Sequence, residues 1–243
     1  MAAAIAPTAR RIPTRERLIF ALDVPDFDAA KKLVERLDDS VVFYKIGLEL
    51  ATSPHYFDLL QWLVDRNKRV FTDLKLYDIP ATVAAAVRQI AKTGASFLTV
   101  HGDRSIMEAA AGAKGGYLKI LVVTVLTSIA PKDLAEMGIG LGVEELALLR
   151  ARQAVAAGCD GGIASGLEAE AVRRTLGAAP LVVTPGIRPQ DGARNDDQRR
   201  VVTPTLAFRS GADYIVVGRP IRDAADPYQA ATAIQAEIAA VFG

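Results

Sequence analysis

The chain has 243 residues, of which 51% are hydrophobic and 23% are charged, and its formal net charge at pH 7 is +1. This length suits one large domain, and the near-balanced charge gives no basic excess that points to nucleic acid or membrane binding. The single cysteine, Cys159, excludes an intrachain disulfide, and two histidines are too few for a His-based metal cage, although a carboxylate-bound Mg²⁺ stays open.

The N-terminal residues 1–13 are rich in Ala, Pro and Arg and precede the first acidic residue, Glu16. We interpret them as a weakly ordered tail in front of a single folded domain over residues 14–243. A transit peptide is the alternative, although such peptides usually carry more Ser and are longer. Because no apolar stretch approaches the roughly 20 residues that cross a bilayer and no signal peptide is evident, we expect a cytoplasmic protein.

Short apolar, β-branched runs alternate with longer amphipathic runs along the rest of the chain. Several short runs are apolar throughout, which is typical of parallel strands that are buried on both faces. The predicted strands cover 18–22, 41–46, 69–74, 97–100, 118–125, 161–164, 181–183 and 214–217. The predicted helices cover 28–37, 55–66, 82–92, 105–114, 143–157, 167–176, 205–210 and 227–241. This repeat, which has no linker, predicts an α/β fold, a single-domain (β/α)8 TIM barrel.

Active sites of such barrels lie at the carboxyl ends of the strands. Most of the residues expected at those ends are polar or charged and come from different strands, as a catalytic site requires. They are Asp23, Lys45, Asp73, Lys75, His101, Thr127, Ser128, Ser165, Arg188 and Arg219.

The most informative segment runs from Asp73 through Lys75 to Asp78, after an apolar strand. Strand alternation places Asp73 and Lys75 on one face, about 6–7 Å apart. With Lys45 on the preceding strand, four alternating charges are predicted to lie close together, where flanking carboxylates keep each lysine charged. A fixed ammonium serves as a proton donor to a developing carbanion. The alternative is a salt-bridge network that only braces the rim of the barrel.

Two later segments favour a phosphorylated ligand. Gly218 and Arg219 follow the eighth strand, where barrels often bind phosphate, although a simple turn is the alternative. The long polar loop over 185–201 carries Arg188 and Gln198 and has the length of a lid, or else of a tolerated surface insertion. The hydroxyls of Thr127 and Ser128 suit a polar ring, but Thr-Ser pairs are also common in turns.

These motifs together resemble the orotidine 5′-phosphate decarboxylase family over nearly the whole chain after the tail. Two positions depart from what many members carry, namely Tyr77, which is often His, and Ala81, which is often Asn. The matching motifs are Ala21-Leu22-Asp23, Tyr44-Lys45-Ile46-Gly47, Asp73-Leu74-Lys75-Leu76-Tyr77-Asp78-Ile79-Pro80-Ala81-Thr82-Val83, Val125-Leu126-Thr127-Ser128, Thr184-Pro185-Gly186-Ile187-Arg188-Pro189, Asp197-Gln198-Arg199-Arg200 and Val217-Gly218-Arg219-Pro220.

The resemblance implies decarboxylation of orotidine 5′-phosphate to UMP by a dimer that needs no metal or organic cofactor. Lys75 is then the proton donor to C6 of the pyrimidine, and Asp73 lies beside the departing carboxylate. For the rest of the substrate, Asp23 and Lys45 are implied to bind the ribose, and Thr127 and Ser128 to contact the base. Gln198 is implied to bridge base and phosphate, and Arg219, Gly218 and Arg188 to bind the phosphate. Asp78 and Thr82 are implied to contact the partner subunit's site.

Two alternatives remain open from the sequence. One is a Mg²⁺-dependent phosphosugar enzyme on the same scaffold, similar to 3-keto-gulonate-6-phosphate decarboxylases or hexulose-phosphate synthases. Such enzymes share Asp-x-Lys-x-x-Asp but lack the Ile-Pro-x-Thr continuation. The other is a non-catalytic nucleotide-binding barrel, which is expected to have lost at least one of the four charges.

Overall fold

The structure is a computed structural model that describes residues 12–189 and 201–243. Within these residues eight parallel strands form a closed barrel in the order of the sequence, which confirms the predicted (β/α)8 TIM barrel. The strands are β1 (Leu18–Ala21), β2 (Phe43–Ile46), β3 (Arg69–Leu76), β4 (Phe97–Val100), β5 (Lys119–Val123), β6 (Gly161–Ile163), β7 (Leu181–Thr184) and β8 (Tyr214–Val217).

Helices fill the connections between the strands. They are α1 (Phe27–Leu37), α2 (Leu48–Ala51), α3 (Tyr56–Val64), α4 (Pro80–Ile90), α5 (Arg104–Ala113), α6 (Pro131–Glu136), α7 (Val143–Ala156), α8 (Gly166–Leu176), α9 (Pro204–Arg209), α10 (Arg219–Arg222) and α11 (Pro227–Phe242), after a 3₁₀ turn at Thr14–Glu16. None of the helices described here is long and apolar enough to cross a membrane.

Local chemistry sets where the longer helices begin. Asp26 precedes α1, and its carboxylate accepts the backbone N–H of Ala29 at 2.8 Å. Asp226 does the same for Gln229 at the start of α11, where the N–H of Gln229 lies 3.1 Å from the carboxylate. Each cap satisfies an N–H that has no partner inside the helix, which fixes the first turn.

The core has two layers because alternate strand residues face the barrel interior and the helices. The inner layer is an aromatic plug of Phe43, Phe71, Phe97 and Tyr214, with ring centroids 5.0 to 5.9 Å apart. The outer layer packs the opposite strand faces against the helices. Three of these rings come from the first residues of β2, β4 and β8, so the plug fills the barrel below the carboxyl ends of its strands.

The predicted strand bounds agree with the structure to within two residues, and β4 and β8 agree fully. Three short helices were not predicted, namely α2, α6 and α10, because four to six residues are too few to show helical periodicity. Residues 1–11 of the predicted tail lie outside the described residues, whereas Ile12 packs against the inner layer. The division between tail and domain at residue 13 stays a prediction.

Candidate active site at the carboxyl end of the barrel

A cavity of about 470 Å³ opens at the carboxyl ends of the strands. This volume suits a small-molecule ligand. Lys45 and Lys75 line it from β2 and β3, whereas Arg188, Arg219 and Arg222 line it beyond β7 and β8. Because β3 and β7 are four strands apart in a ring of eight, Arg188 lies across the cavity from Lys75, whereas Arg219 and Arg222 follow β8, two strands from β2.

Lys45, Asp73 and Lys75 form an ion network, which we call the mouth triad. The Asp73 Oδ2 atom lies 2.9 Å from the Lys75 Nζ atom and 3.6 Å from the Lys45 Nζ atom. Lys45 extends the network to Asp23, whose Oδ1 atom is 2.9 Å away. The charges therefore alternate in a line from Asp23 to Lys75. Lys75 is the more exposed of the two lysines, at 32% of its side chain against 11% for Lys45.

The network keeps Asp73 and Lys45 ionised despite their burial. Burial alone raises the pKa of Asp73, but Lys45 and Lys75 outweigh it, and the pKa of this carboxyl lies below its usual value. For Lys45, burial lowers the pKa, but the carboxylates of Asp73 and Asp23 outweigh it and raise the pKa above its usual value. Opposite charges at this distance favour the charged form of each group. The site is therefore preorganised as fixed charges at neutral pH.

One sequence pattern positions these side chains on three adjacent strands. An inner phenylalanine of the aromatic plug is followed two positions later by a polar residue that rises above the plug. The pairs are Phe43 and Lys45, Phe71 and Asp73, and Phe97 and Thr99. The third polar member, Thr99, was not predicted as a site residue, although the repeat of Phe-x-polar on successive strands was a signal for it.

Lys75 reaches the mouth through a distortion rather than through simple strand alternation. The pairing of β3 with β4 shifts register between Thr72 and Leu76. Lys75 has a φ of +49°, in the left-handed region that residues other than Gly rarely adopt. Leu74 and Leu76 pack against the outer layer. The sequence placed Lys75 beside Asp73, but the bulge that puts it there was not visible.

Three further residues predicted at this end of the barrel differ in their positions relative to the cavity. Thr127 lines the cavity, whereas Ser128 is exposed and is not among the described lining residues. His101 is half-buried against the ring of Tyr77, and burial, with Arg150 and Lys75 nearby, lowers its pKa. A neutral imidazole at this position is a poor candidate for a cationic ligand contact.

Asp78 and Thr82 lie outside the cavity of their own chain, as the described lining residues show. Asp78 is exposed after β3, and its Oδ1 atom accepts the backbone N–H of Ile79 at 2.6 Å. Thr82 is exposed in the first turn of α4. Within one chain the fourth charge beside the mouth triad is therefore Asp23, and Asp78 points to another surface.

The arginine side of the cavity is built from the ends of β7 and β8. Arg188 lies next to Ile187, which pairs with Val202 across the base of the long loop. Gln198 belongs to residues 190–200, which lie outside the described part of the chain. Arg219 begins α10 directly after Gly218, whose missing side chain leaves space beside Asp23.

Arg222 was not predicted, yet it lines the same cavity. Its guanidinium donates to the backbone oxygen of Asp23 at 3.0 Å and to both carboxylate oxygens of Asp223. No sequence signal marked it, because it follows the Gly-Arg-Pro motif by two residues on a short helix. Over 12–189 and 201–243, no group of three or more His, Cys, Asp or Glu side chains is arranged to hold a metal ion.

The fold and site define a single (β/α)8 barrel with a small-molecule site at the carboxyl ends of its strands, where fixed lysine and carboxylate charges face arginines. Comparison with known families then identifies the group. The chain belongs to the orotidine 5′-phosphate decarboxylase / HUMPS family, whose model matches residues 16–234.

Similar proteins cover almost the full length of the chain. A protein of Methylococcus capsulatus named orotidine 5′-phosphate decarboxylase is 55% identical over 231 residues, which is 95% of each chain. A protein of Xanthomonas oryzae pv. oryzae with the same name is 54% identical over 233 residues, 96% of each chain. The crystal structure of orotidine 5′-phosphate decarboxylase from Lactobacillus acidophilus has a TM-score of 0.81 at 35% identity and covers 92% of this chain and 99% of that chain.

Proposed function

We propose that this chain decarboxylates orotidine 5′-phosphate to UMP and CO2, the last step of de novo pyrimidine nucleotide synthesis. The observation that carries the proposal is the Lys75 ammonium, held 2.9 Å from Asp73 inside a cavity that Arg188 and Arg219 also line. That layout suits a ligand with a phosphate at one end and a reacting carbon at the other. Family membership and relatives of that name at 54–55% identity support the same reaction.

The proposed chemistry uses the charges of the mouth triad. The bond between C6 and the carboxylate carbon breaks, CO2 leaves, and the electron pair stays on C6. The Lys75 ammonium stabilises this carbanion and transfers a proton to C6, which gives UMP and a neutral amine that solvent protonates again. Asp73, which lies beside Lys75, fixes the ammonium and is proposed to border the departing carboxylate. No electron acceptor enters this scheme, so we expect no metal or organic cofactor.

The other groups are proposed to bind and orient the substrate. Asp23 and Lys45 suit the ribose hydroxyls, because they lie together at 2.9 Å on the cavity wall. Arg219, the backbone at Gly218 and Arg188 suit the phosphate, since guanidinium groups pair with phosphate oxygens. The remaining proposed contacts, which follow the family resemblance, are Thr127 and Ser128 to the base and Gln198 between base and phosphate.

We also propose a homodimer in which Asp78 and Thr82 serve the site of the partner subunit. Asp78 is exposed between two large apolar side chains, Tyr77 and Ile79, which are 63% and 67% exposed. Exposed apolar surface beside a carboxylate is typical of an interface. Sedimentation velocity of the wild type and of Ile79→Asp tests the dimer: the wild type is expected to sediment as a dimer and the variant as a monomer. A monomeric wild type at micromolar concentration contradicts it.

Mixing two inactive variants tests whether Asp78 acts across the interface. Hybrid dimers of Lys75→Ala and Asp78→Ala subunits contain one site that keeps both Lys75 and the partner's Asp78. Random exchange then restores about a quarter of wild-type activity, because half of the dimers are hybrid and each has one intact site. If Asp78 serves its own chain, no site in the mixture is intact and activity stays at the level of the separate variants.

The reaction itself is tested by incubating the purified chain with orotidine 5′-phosphate and following the loss of orotidylate absorbance with EDTA and with Mg²⁺. We expect the same turnover in both. No loss of orotidylate absorbance in either condition would contradict the proposed reaction and leave the phosphosugar alternative open, whereas activity that disappears in EDTA would contradict the cofactor-free mechanism. The comparisons do not favour that alternative or the non-catalytic barrel, since the curated relatives at 54–55% identity carry the decarboxylase name. The cytoplasmic location stays a prediction.

A further inference from the structure

Thr99 lies opposite the distortion that brings Lys75 to the mouth. Thr72 pairs with Leu98, and the next pair in the ladder is Leu76 with Val100. Between these pairs β3 has three residues, 73 to 75, and β4 has only Thr99. Extra residues on one strand form a bulge, which bends the strand and leaves backbone groups without ladder partners. Thr99 is thus the one residue of β4 that faces the whole insertion.

The hydroxyl of Thr99 joins both ends of this bulge. It accepts the backbone N–H of Lys75 at 3.0 Å and donates to the Asp73 Oδ1 atom at 2.8 Å. Because the N–H of Lys75 supplies the proton of the first bond, the single hydroxyl proton is directed at the carboxylate. The Thr99 side chain is fully buried, so water does not compete for either bond.

The two oxygens of Asp73 are therefore held by different groups. Oδ1 accepts from Thr99, whereas Oδ2 lies next to the ammonium groups of Lys75 and Lys45. Fixing Oδ1 sets the rotation of the carboxylate and hence the direction in which Oδ2 presents its charge. The hydrogen bond that the Thr99 hydroxyl accepts from the Lys75 N–H stabilises the left-handed backbone at Lys75. Such a conformation persists only where its surroundings hold it.

We propose that Thr99 is a positioning residue, which fixes the Asp73 carboxylate and the Lys75 backbone in one geometry through a single hydroxyl. It lies below the ionic side chains and is not among the residues that line the described cavity, so its effect is exerted through the other two residues. The activity readout of this inference rests on the proposed decarboxylation, whereas the geometric readout does not.

The test compares Thr99→Val, which keeps the shape and removes the hydroxyl, with Thr99→Ser, which keeps the hydroxyl. We expect kcat for orotidine 5′-phosphate to fall about 10- to 100-fold in Thr99→Val, with KM within about 3-fold of wild type, because misplaced catalytic groups lower the rate while the distant phosphate contacts remain. Thr99→Ser is expected to recover most of kcat. If Thr99→Val does not fold, Thr99→Ala is used in its place, and its kcat is compared with that of Thr99→Ser.

Thr72→Val is the matched control. Thr72 is equally buried, on the strand next to β4, and its hydroxyl donates to the backbone oxygen of Phe97 at 2.9 Å. This variant loses a buried hydroxyl of the same kind that bonds to the backbone of β4 and not to Asp73 or Lys75, so its kcat is expected to stay near wild type at a similar cost in Tm. Equal losses of kcat in Thr72→Val and Thr99→Val, or no loss in Thr99→Val, would overturn the proposal.

A crystal structure of Thr99→Val separates this inference from the proposed function. The distance between the Lys75 Nζ and Asp73 Oδ2 atoms is expected to increase from 2.9 Å, or the left-handed backbone at Lys75 to relax. An unchanged bulge and ion pair would overturn the inference even if the wild type is active. A wild type without decarboxylase activity overturns the proposed function and leaves the geometric result to decide the role of Thr99.

Discussion

The barrel holds two carboxylates that each lie between two lysines, one at either end. The mouth triad is at the carboxyl end, and the second set, which we call the base triad, lies at the amino end before β6. In the base triad the Asp160 carboxylate is 2.7 Å from Lys114 and 3.2 Å from Lys119. The side chains of both central aspartates are 13% exposed. The two triads therefore match in composition and in the burial of their central aspartates, and all four ion pairs are 3.6 Å or shorter.

They differ in what else their atoms contact. In the base triad the Asp160 Oδ2 atom also accepts the backbone N–H of Ile120, and Lys114 also donates to the backbone oxygen of Gly158. These bonds tie the triad to the strands, and none of its members lines the described cavity. Lys75, by contrast, lines the cavity with an ammonium that has three donors. The contact with a cavity, and not the charges themselves, thus distinguishes the candidate active site from a structural ion pair.

Removal of one lysine from each triad is expected to give the largest difference in activity between the two triads. Lys75→Ala is expected to lower kcat/KM by about 10⁴-fold or more, because it removes both the proton donor and the charge that stabilises the carbanion. Lys119→Ala is expected to stay within about 3-fold of wild type, since that partly exposed side chain lies at the start of β5 and does not line the cavity. Steady-state kinetics measure both, and calorimetry with UMP checks that Lys75→Ala still binds nucleotide.

An arginine that lines the cavity sharpens the comparison, because its removal separates substrate binding from the chemical step. Arg219→Ala is expected to lower kcat/KM about 10- to 100-fold, mainly through KM, as expected for one lost charge-assisted contact with phosphate. The variant and wild type should differ little on orotidine, which lacks the phosphate. Arg209→Ala, an exposed position on α9, is the matched control. An equal loss on both substrates would rule out Arg219 as a phosphate ligand.

The base triad is expected to affect stability alone. Asp160→Asn removes a carboxylate that serves two lysines and a backbone N–H, so the free energy of unfolding is expected to fall by about 1–3 kcal/mol. Urea denaturation measures this change. A variant as stable as wild type would show that the base triad is not structural either.

The lowered pKa of Asp73 predicts a small effect of pH on stability. The native pKa lies below the ordinary value of 3.8, so this carboxylate contributes stability that is fully present above pH 3.8 and is lost as pH falls through the native pKa. Asp73→Asn lacks this contribution at every pH. The difference in unfolding free energy between wild type and Asp73→Asn should therefore be constant from pH 5 to 8, by the ordinary reference pKa values, and shrink below about pH 3.8. A difference that does not change contradicts the assigned pKa shift.

The sequence was sufficient to predict the barrel fold and the charged residues at the carboxyl ends of its strands, because both follow from periodic patterns. Runs such as the strand β1 are apolar throughout, and polar residues that form the site follow their ends. Asp73 and Lys75 were found by spacing. The bulge was not, because a left-handed backbone at Lys75 leaves no mark in residue type.

Other parts of the site depend on contacts that no single chain pattern encodes. Thr99 was missed because an isolated threonine in an apolar strand is usual, and only its alignment with Phe71-x-Asp73 on β3 distinguishes it. Arg222 was missed because its partner, the backbone oxygen of Asp23, is 199 residues away. The proposed role of Asp78 involves a second subunit, and the pattern of a single chain does not describe contacts between subunits.

The most direct test of the central claim measures decarboxylation of orotidine 5′-phosphate by Asp73→Asn and Asp160→Asn side by side, under conditions in which both are folded. The two substitutions are chemically identical and remove the central carboxylate of the mouth triad and of the base triad. We predict that Asp73→Asn loses about 10²-fold or more in kcat, whereas Asp160→Asn keeps kcat within about 3-fold of wild type. Equal losses in the two variants, or full activity in Asp73→Asn, would contradict the claim that only the triad facing the cavity performs the chemistry.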